Sequence, residues 1–270
     1  AFAWIASVMF GAEVIIAKLT SRHSIKNPWL LTFFWNFFVL LLIAPIAVWQ
    51  GAGIPSAWGP VLAASIFYAL TSTLYTLAIY KLDISVLIPF YSFRNVIVLF
   101  LAMVMLGEVL TSHQYFLIAV ILLFGIAVSV DEKLSLKSFF SWGIALAFAN
   151  MTASAFKAIF TNKAVASVGF WDTTLWALAL TQFWLLFTLP LFKSELASTT
   201  VKQYGATFLT AVAGTMGTIA VNKAYAMNVS IAAPIVSLPL SMIGAFLFSM
   251  FAPQLLEKHT VKVYAIRFVS

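Results

Sequence analysis

The sequence predicts an all-α integral membrane protein, with ten transmembrane helices arranged as two inverted five-helix repeats. Three observations carry that reading. Of 270 residues, 63% are hydrophobic and 9% charged, against about 25% charged in an ordinary soluble domain. Apolar runs of about 20 residues, enough to cross a bilayer, recur along the chain between short breaks. The second half echoes the first at near-constant spacing. The mean hydropathy is +1.04. A globule of this mass exposes too much surface to water to hide so many apolar side chains, so water-soluble folds are excluded.

The predicted spans are 2–20, 29–49, 58–80, 84–106, 113–130, 139–160, 171–192, 204–226 and 230–252. A tenth begins near Val261 and reaches Ser270. Ten residues cover only about 15 Å, so this helix is expected to run on beyond the sequence given. Turn residues and charge mark the breaks: Gly51-Ala-Gly-Ile-Pro55, Lys81-Leu-Asp83, Asp131-Glu-Lys133 and Lys193-Ser-Glu195. The first run passes straight into a charged loop, so no cleavable signal is expected. With 26 Phe and 9 Trp, aromatic rings are available for both the hydrocarbon and the headgroup belt. Zero cysteines remove disulfides, thiolate metal sites and cysteine nucleophiles. The net charge of +7 sits in short loops and sets topology; no nucleic-acid partner is expected.

The internal repeat is specific. Tyr80, Ser85, Pro89 and Ser92 align with Tyr225, Ser230, Pro234 and Ser237, and Pro45 aligns with Pro190 at the same offset. Glu108, Thr111 and Tyr115 match Glu257, Thr260 and Tyr264 at a slightly larger offset, and Trp4 and Phe10 match Trp142 and Phe148 at a smaller one. Offsets that drift only through loops describe a duplicated unit, residues 1–130 and 131–270. Five helices per unit is odd, so the second copy enters the membrane from the opposite face. Such inverted repeats place a substrate site at the midplane between halves.

Gly11-Ala-Glu-Val-Ile-Ile-Ala-Lys18 and Leu106-Gly107-Glu108-Val-Leu-Thr111 resemble motifs of EamA-type transporters of the drug/metabolite transporter superfamily. The second copy keeps Glu257 and Thr260 but carries Ala252-Pro253 where glycine is expected. The resemblance implies a ten-helix carrier that moves small metabolites, often amino acids outward, by alternating access. It implies a central cavity lined by helices 1, 3, 4, 6, 8 and 9.

Ionisable residues at bilayer depth are costly and point to function. Glu13 is expected roughly 10 Å from the end of helix 1, and Arg94 about 15 Å into helix 4 from the same face, within mutual reach. They either bind the two ends of a zwitterion, with Glu13 also able to carry a coupling proton, or form a static salt bridge. Asn150 and Thr215 are further substrate candidates, and Gln182 lies near the same depth; ordinary interhelical hydrogen bonding is the plainer explanation of each taken singly. Tyr75, Tyr80 and Tyr91 offer rings and hydroxyls, or packing. Pro89 and Pro234 either hinge helices 4 and 9 or start them. Gly214 and Gly217 permit close helix packing. Lys157, Lys223 and Arg267 are read as snorkelling toward headgroups.

No phosphate-binding loop and no His-Glu-x-x-His motif occurs, and His23, His113 and His259 fall in or beside loops. An enzyme, a metal site and a cofactor are therefore not expected. Nine loop lysines and arginines, among them Arg22 and Lys26, fall on the face of the 1–2 loop, against Lys163 and nearby Lys157 on the other. That bias makes the 1–2 loop face cytoplasmic. The family resemblance implies the reverse, and the expectation follows the family. The expected activity is secondary transport, as an exporter of small polar metabolites such as amino acids, in the plasma membrane, as monomer or homodimer. A nucleotide-sugar or sugar-phosphate carrier, and a non-transporting scaffold or channel, are the alternatives.

Overall fold

The computed structural model describes residues 1–87, 141–227, 240–252 and 254–255, with residues 94, 96, 97, 100, 101, 104, 105, 112, 115, 116 and 235. Tyr91, Pro89, Pro234, the Glu108 and Glu257 motifs and the tenth span lie outside the described residues. Within them the regular structure is helical: α1 (Phe2–His23), α2 (Pro28–Trp49), α3 (Trp58–Lys81), the single turn α4 (Ile84–Leu87), α5 (Trp142–Val168), α6 (Phe170–Leu186), α7 (Lys193–Leu196), α8 (Val201–Met227) and α9 (Leu240–Phe251). Among the described residues, α1, α2, α3 and α5 are long and apolar enough to cross a membrane.

Local chemistry explains the helix ends. Asn27 caps α2 by accepting from the amides of Trp29 (2.9 Å) and Leu30 (3.4 Å), and Pro28 opens the helix, where its missing N–H is harmless. Ser141 caps α5 through the Ile144 amide at 3.3 Å. Thr200 and Gln203 exchange side-chain and backbone bonds at the start of α8, a reciprocal cap. Gly169, at φ +91°, ends α5 and begins α6 in one residue, a backbone conformation that favours glycine.

Two predicted ends move by more than three residues. Span 139–160 becomes α5 with eight further residues, to Val168. Span 171–192 stops at Leu186 and continues as a 3₁₀ turn over Leu189–Leu191. Pro190 is the reason, because it lacks an amide donor and disfavours helix at the residue before it. Its repeat counterpart Pro45 stays inside α2, so this pair shares sequence position but not local structure.

Side-chain pairings fix the helix directions. Ala6 packs on Ala220, Phe10 lies over Gly217 and Glu13 over Gly214, so α1 and α8 are antiparallel. Leu82 meets Gly143, Thr71 meets Asn150, and Phe67 stacks on Phe156 and Phe160, so α3 and α5 are antiparallel too. Lys18, near the end of α1, donates to the Ile79 and Leu82 carbonyls at the end of α3, each at 2.6 Å. Thus α1 and α3 run the same way and α5 runs against both.

The packing also exchanges in pairs. α1 rests mainly on α8 and α5 on α3, while α2 packs on α8 and α6 on α3; α2 and α6 pack on each other. Interhelical hydrogen bonds of Ser72 to Asn36 (3.1 Å), Thr181 to the Ser65 carbonyl (3.1 Å) and Trp184 to the Ser65 hydroxyl (2.9 Å) tie α2, α3 and α6. Each is worth only about 0.6 kcal/mol in a bilayer, so close packing must supply the rest.

The chain has no native cysteine, so introduced pairs report helix direction cleanly. Ala6→Cys with Ala220→Cys should form an oxidative cross-link in membranes. Ala6→Cys with Thr207→Cys, about 20 Å further along α8, should not. Cross-linking of the second pair alone would refute the antiparallel packing of α1 and α8.

Candidate functional site

Glu13 sits deeper than the sequence predicts. Because α1 continues to His23, Glu13 is about 15 Å from that end, at the middle of the helix. Its carboxylate lies against Gly214 of α8, in the space a β-carbon would need. The Trp35 side chain of α2 hydrogen-bonds to it, and the cation acting on it is Lys157 of α5. Glycine at 214 is therefore what admits a carboxylate between α1 and α8.

Lys157 does not snorkel. With α5 extending to Val168, Lys157 is about 16 Å from the helix end, too deep to reach the headgroups. Its ammonium instead lies 4.4 Å from the centroid of the Tyr68 ring on α3, a cation–π contact. Both Glu13 and Arg94 act electrostatically on it. The pair expected from depth alone, Glu13 with Arg94, thus becomes a cluster of three charges. Glu13 is half-buried, as are Arg94 and Lys157.

Aromatic side chains wall this cluster. Tyr75 on α3 meets Trp35 edge-on, with centroids 5.8 Å apart, and so braces the indole that bonds Glu13. Tyr68 precedes Tyr75 by two helical turns and shares its face. Tyr80, by contrast, donates its hydroxyl to the Ile25 carbonyl near the end of α3, away from the cluster.

Asn150 is fully buried; its amide group donates to the Thr71 carbonyl at 2.8 Å. Its carbonyl oxygen, and the neighbouring Thr71 hydroxyl, have no hydrogen-bond partner among the described residues. Asn150 lies two turns before Lys157 on the same side of α5. The buried Thr215 hydroxyl and both amide atoms of Gln182 likewise have no hydrogen-bond partner among the described residues. Buried polar groups without partners are uncommon in folded proteins.

Among the expected site residues, Glu13 and Tyr75 meet through Trp35, Arg94 acts on Lys157, and Asn150 stays beside Thr71. Thr215 adjoins Gly214 in sequence. Three residues were not anticipated: Lys157, Trp35 and Tyr68. Signals for them existed. Trp35 is a mid-span tryptophan rather than a belt residue, and Tyr68 repeats Tyr75 at seven residues.

Residues 1–130 match the EamA-like transporter family. Over those residues the chain is similar to an EamA-type unit. That is a family of transporters rather than enzymes, and the four apolar helices agree with a membrane location. No curated protein matches the chain.

The EamA-type unit supplies Glu13, Trp35 and Tyr68; Lys157 comes from beyond it. Glu13 and Lys157 are half-buried and act on each other electrostatically, so removing one leaves the other charge uncompensated, at a cost of about 1–3 kcal/mol. Lys157→Met should therefore lower stability by that order, read by denaturant or thermal unfolding in detergent. Glu13→Gln combined with Lys157→Met should recover most of it. Equal losses in the single and double variants would show that the two charges do not interact.

Proposed function

We propose that this EamA-type protein is a secondary carrier of small polar metabolites, amino acids foremost, exporting them across the plasma membrane. The observation that carries this reading is the mid-membrane cluster of Glu13, Lys157 and Arg94. A static pair adds little net stability after desolvation, and three charges on separate elements exceed what a simple clamp requires. In this reading Lys157 and Arg94 take the substrate carboxylate, Glu13 takes the ammonium or a coupling proton, and Tyr68, Trp35 and Tyr75 shape the walls. Asn150, Thr215 and, outside the described residues, Tyr91 complete the polar lining, with Pro89 and Pro234 as hinges.

The architecture proposed is two inverted repeats, residues 1–130 and 131–270, rocking about that site. The opposed directions of α1 and α5, and the exchange of packing partners between halves, support it. A sugar-phosphate or nucleotide-sugar cargo gains Lys157 as a second cation beside Arg94. It would also have to seat a phosphate next to Glu13, and like charges in a low-dielectric site repel. The zwitterion is the better match.

Proteoliposomes holding the purified protein should exchange amino acids down their gradients without ATP. Glu13→Gln should insert normally yet transport at least about tenfold more slowly, roughly the loss of one charge-assisted contact. Strict ATP dependence would overturn the carrier mechanism. Preference for sugar phosphates over amino acids would replace the substrate class, and unchanged transport by Glu13→Gln would remove that residue from the site.

A further inference from the structure

A polar cavity of about 310 Å³ opens where α1 and α3 end. It is lined by Lys18, Ser21, Arg22, Tyr80, Lys81 and Asp83. Lys18 and Ser21 are buried, whereas Arg22 and Lys81 are exposed at the rim. Three cations face one carboxylate, so the lining is formally positive by two. The Lys18 ammonium is fixed by the Ile79 and Leu82 carbonyls, which hold its charge in place at the cavity wall. The Ser21 hydroxyl turns back to the Lys18 carbonyl at 2.8 Å and the Tyr80 hydroxyl to Ile25. The cations at the rim are the Arg22 guanidinium and the Lys81 ammonium, beside the partly buried Asp83 carboxylate.

We infer that this cavity binds a phosphate group. A guanidinium presents paired donors that fit phosphate oxygens, and an ammonium adds a point charge. The volume lies at the lower end for small-ligand sites, enough for one headgroup or one small phosphate compound. Because α1 and α3 both terminate here, the cavity lies at headgroup level, where basic pockets between helices hold anionic lipids. A phosphodiester of an anionic lipid and a soluble phosphate share this chemistry. The assignment stands apart from the central cluster and from the transport reading.

Binding is measured on the full chain in neutral detergent by native mass spectrometry and thermal shift. The probes are phosphatidylglycerol, phosphatidylcholine and inorganic phosphate. Arg22→Gln with Lys81→Gln removes both rim charges and leaves Lys18 in place; Lys26→Gln, on the same loop, serves as the control. The wild type and the control should bind phosphatidylglycerol or phosphate, and the double variant about tenfold more weakly. Each single rim variant should fall between. Binding of phosphatidylglycerol alone identifies a lipid source, and of inorganic phosphate a soluble one. Equal binding of phosphatidylcholine, equal affinity in the double variant, or no binding of either anionic probe overturns the assignment.

Discussion

Hydrocarbon offers no hydrogen bonds, so every polar group carried into it must find its answer within the protein. That constraint organises this bundle. The final turn of α3 leaves carbonyls exposed, and Lys18 crosses from α1 to take two of them. The same contact fixes the two helices as parallel neighbours. Tyr80 answers the Ile25 carbonyl, and Asn36 the hydroxyl of Ser72. Polar residues here therefore specify which helix meets which, a task that apolar contact with lipid-like surfaces cannot perform.

Close approach is the second requirement, and α1 shows how it is met. Gly11 lies against Leu240 and Ser241, with 3.3 Å left for an added β-carbon. Phe10 fills the face of Gly217, Ile15 that of Gly244, and Glu13 that of Gly214. In each case a large side chain occupies the volume that a small one vacates. The same packing that builds the helix pair thus delivers a carboxylate to the centre of the membrane. A β-carbon at position 214 would disturb both the helix pair and the placement of that carboxylate.

Much of the fold was legible. Helices α1, α2 and α3 start within a residue of prediction, because Pro28 and the apolar onset at Trp58 are local signals. Helix direction could be read only as parity. The misreading of Lys157 has a single cause. The end of α5 was placed at 160 on hydropathy, yet Thr161, Asn162 and Lys163 continue the helix to Gly169, where backbone conformation ends it. That slip made Lys157 look superficial. Its partners could not be read at all, since the meeting of Tyr68, Lys157 and Glu13 depends on the rotation of three helices about their axes. Asn150 and Tyr75 were recoverable as polar or aromatic residues at depth; Trp35 was lost among many aromatic residues.

The short segment 23–27 links elements far apart in the chain. His23 donates to the Leu255 carbonyl at 2.6 Å, the Ser24 carbonyl accepts from Gln203 at 2.6 Å, and Asn27 donates to Leu191 (3.1 Å) and Glu195 (2.7 Å). These four ties all join early residues to late ones at a single membrane face. Exchanging each for water costs on the order of 1 kcal/mol, so parting the halves there carries a penalty of several kcal/mol. Every tenfold in population corresponds to about 1.4 kcal/mol. The five residues 23–27 therefore act as a clasp, tying the end of α1 and the start of α2 to segments much later in the chain.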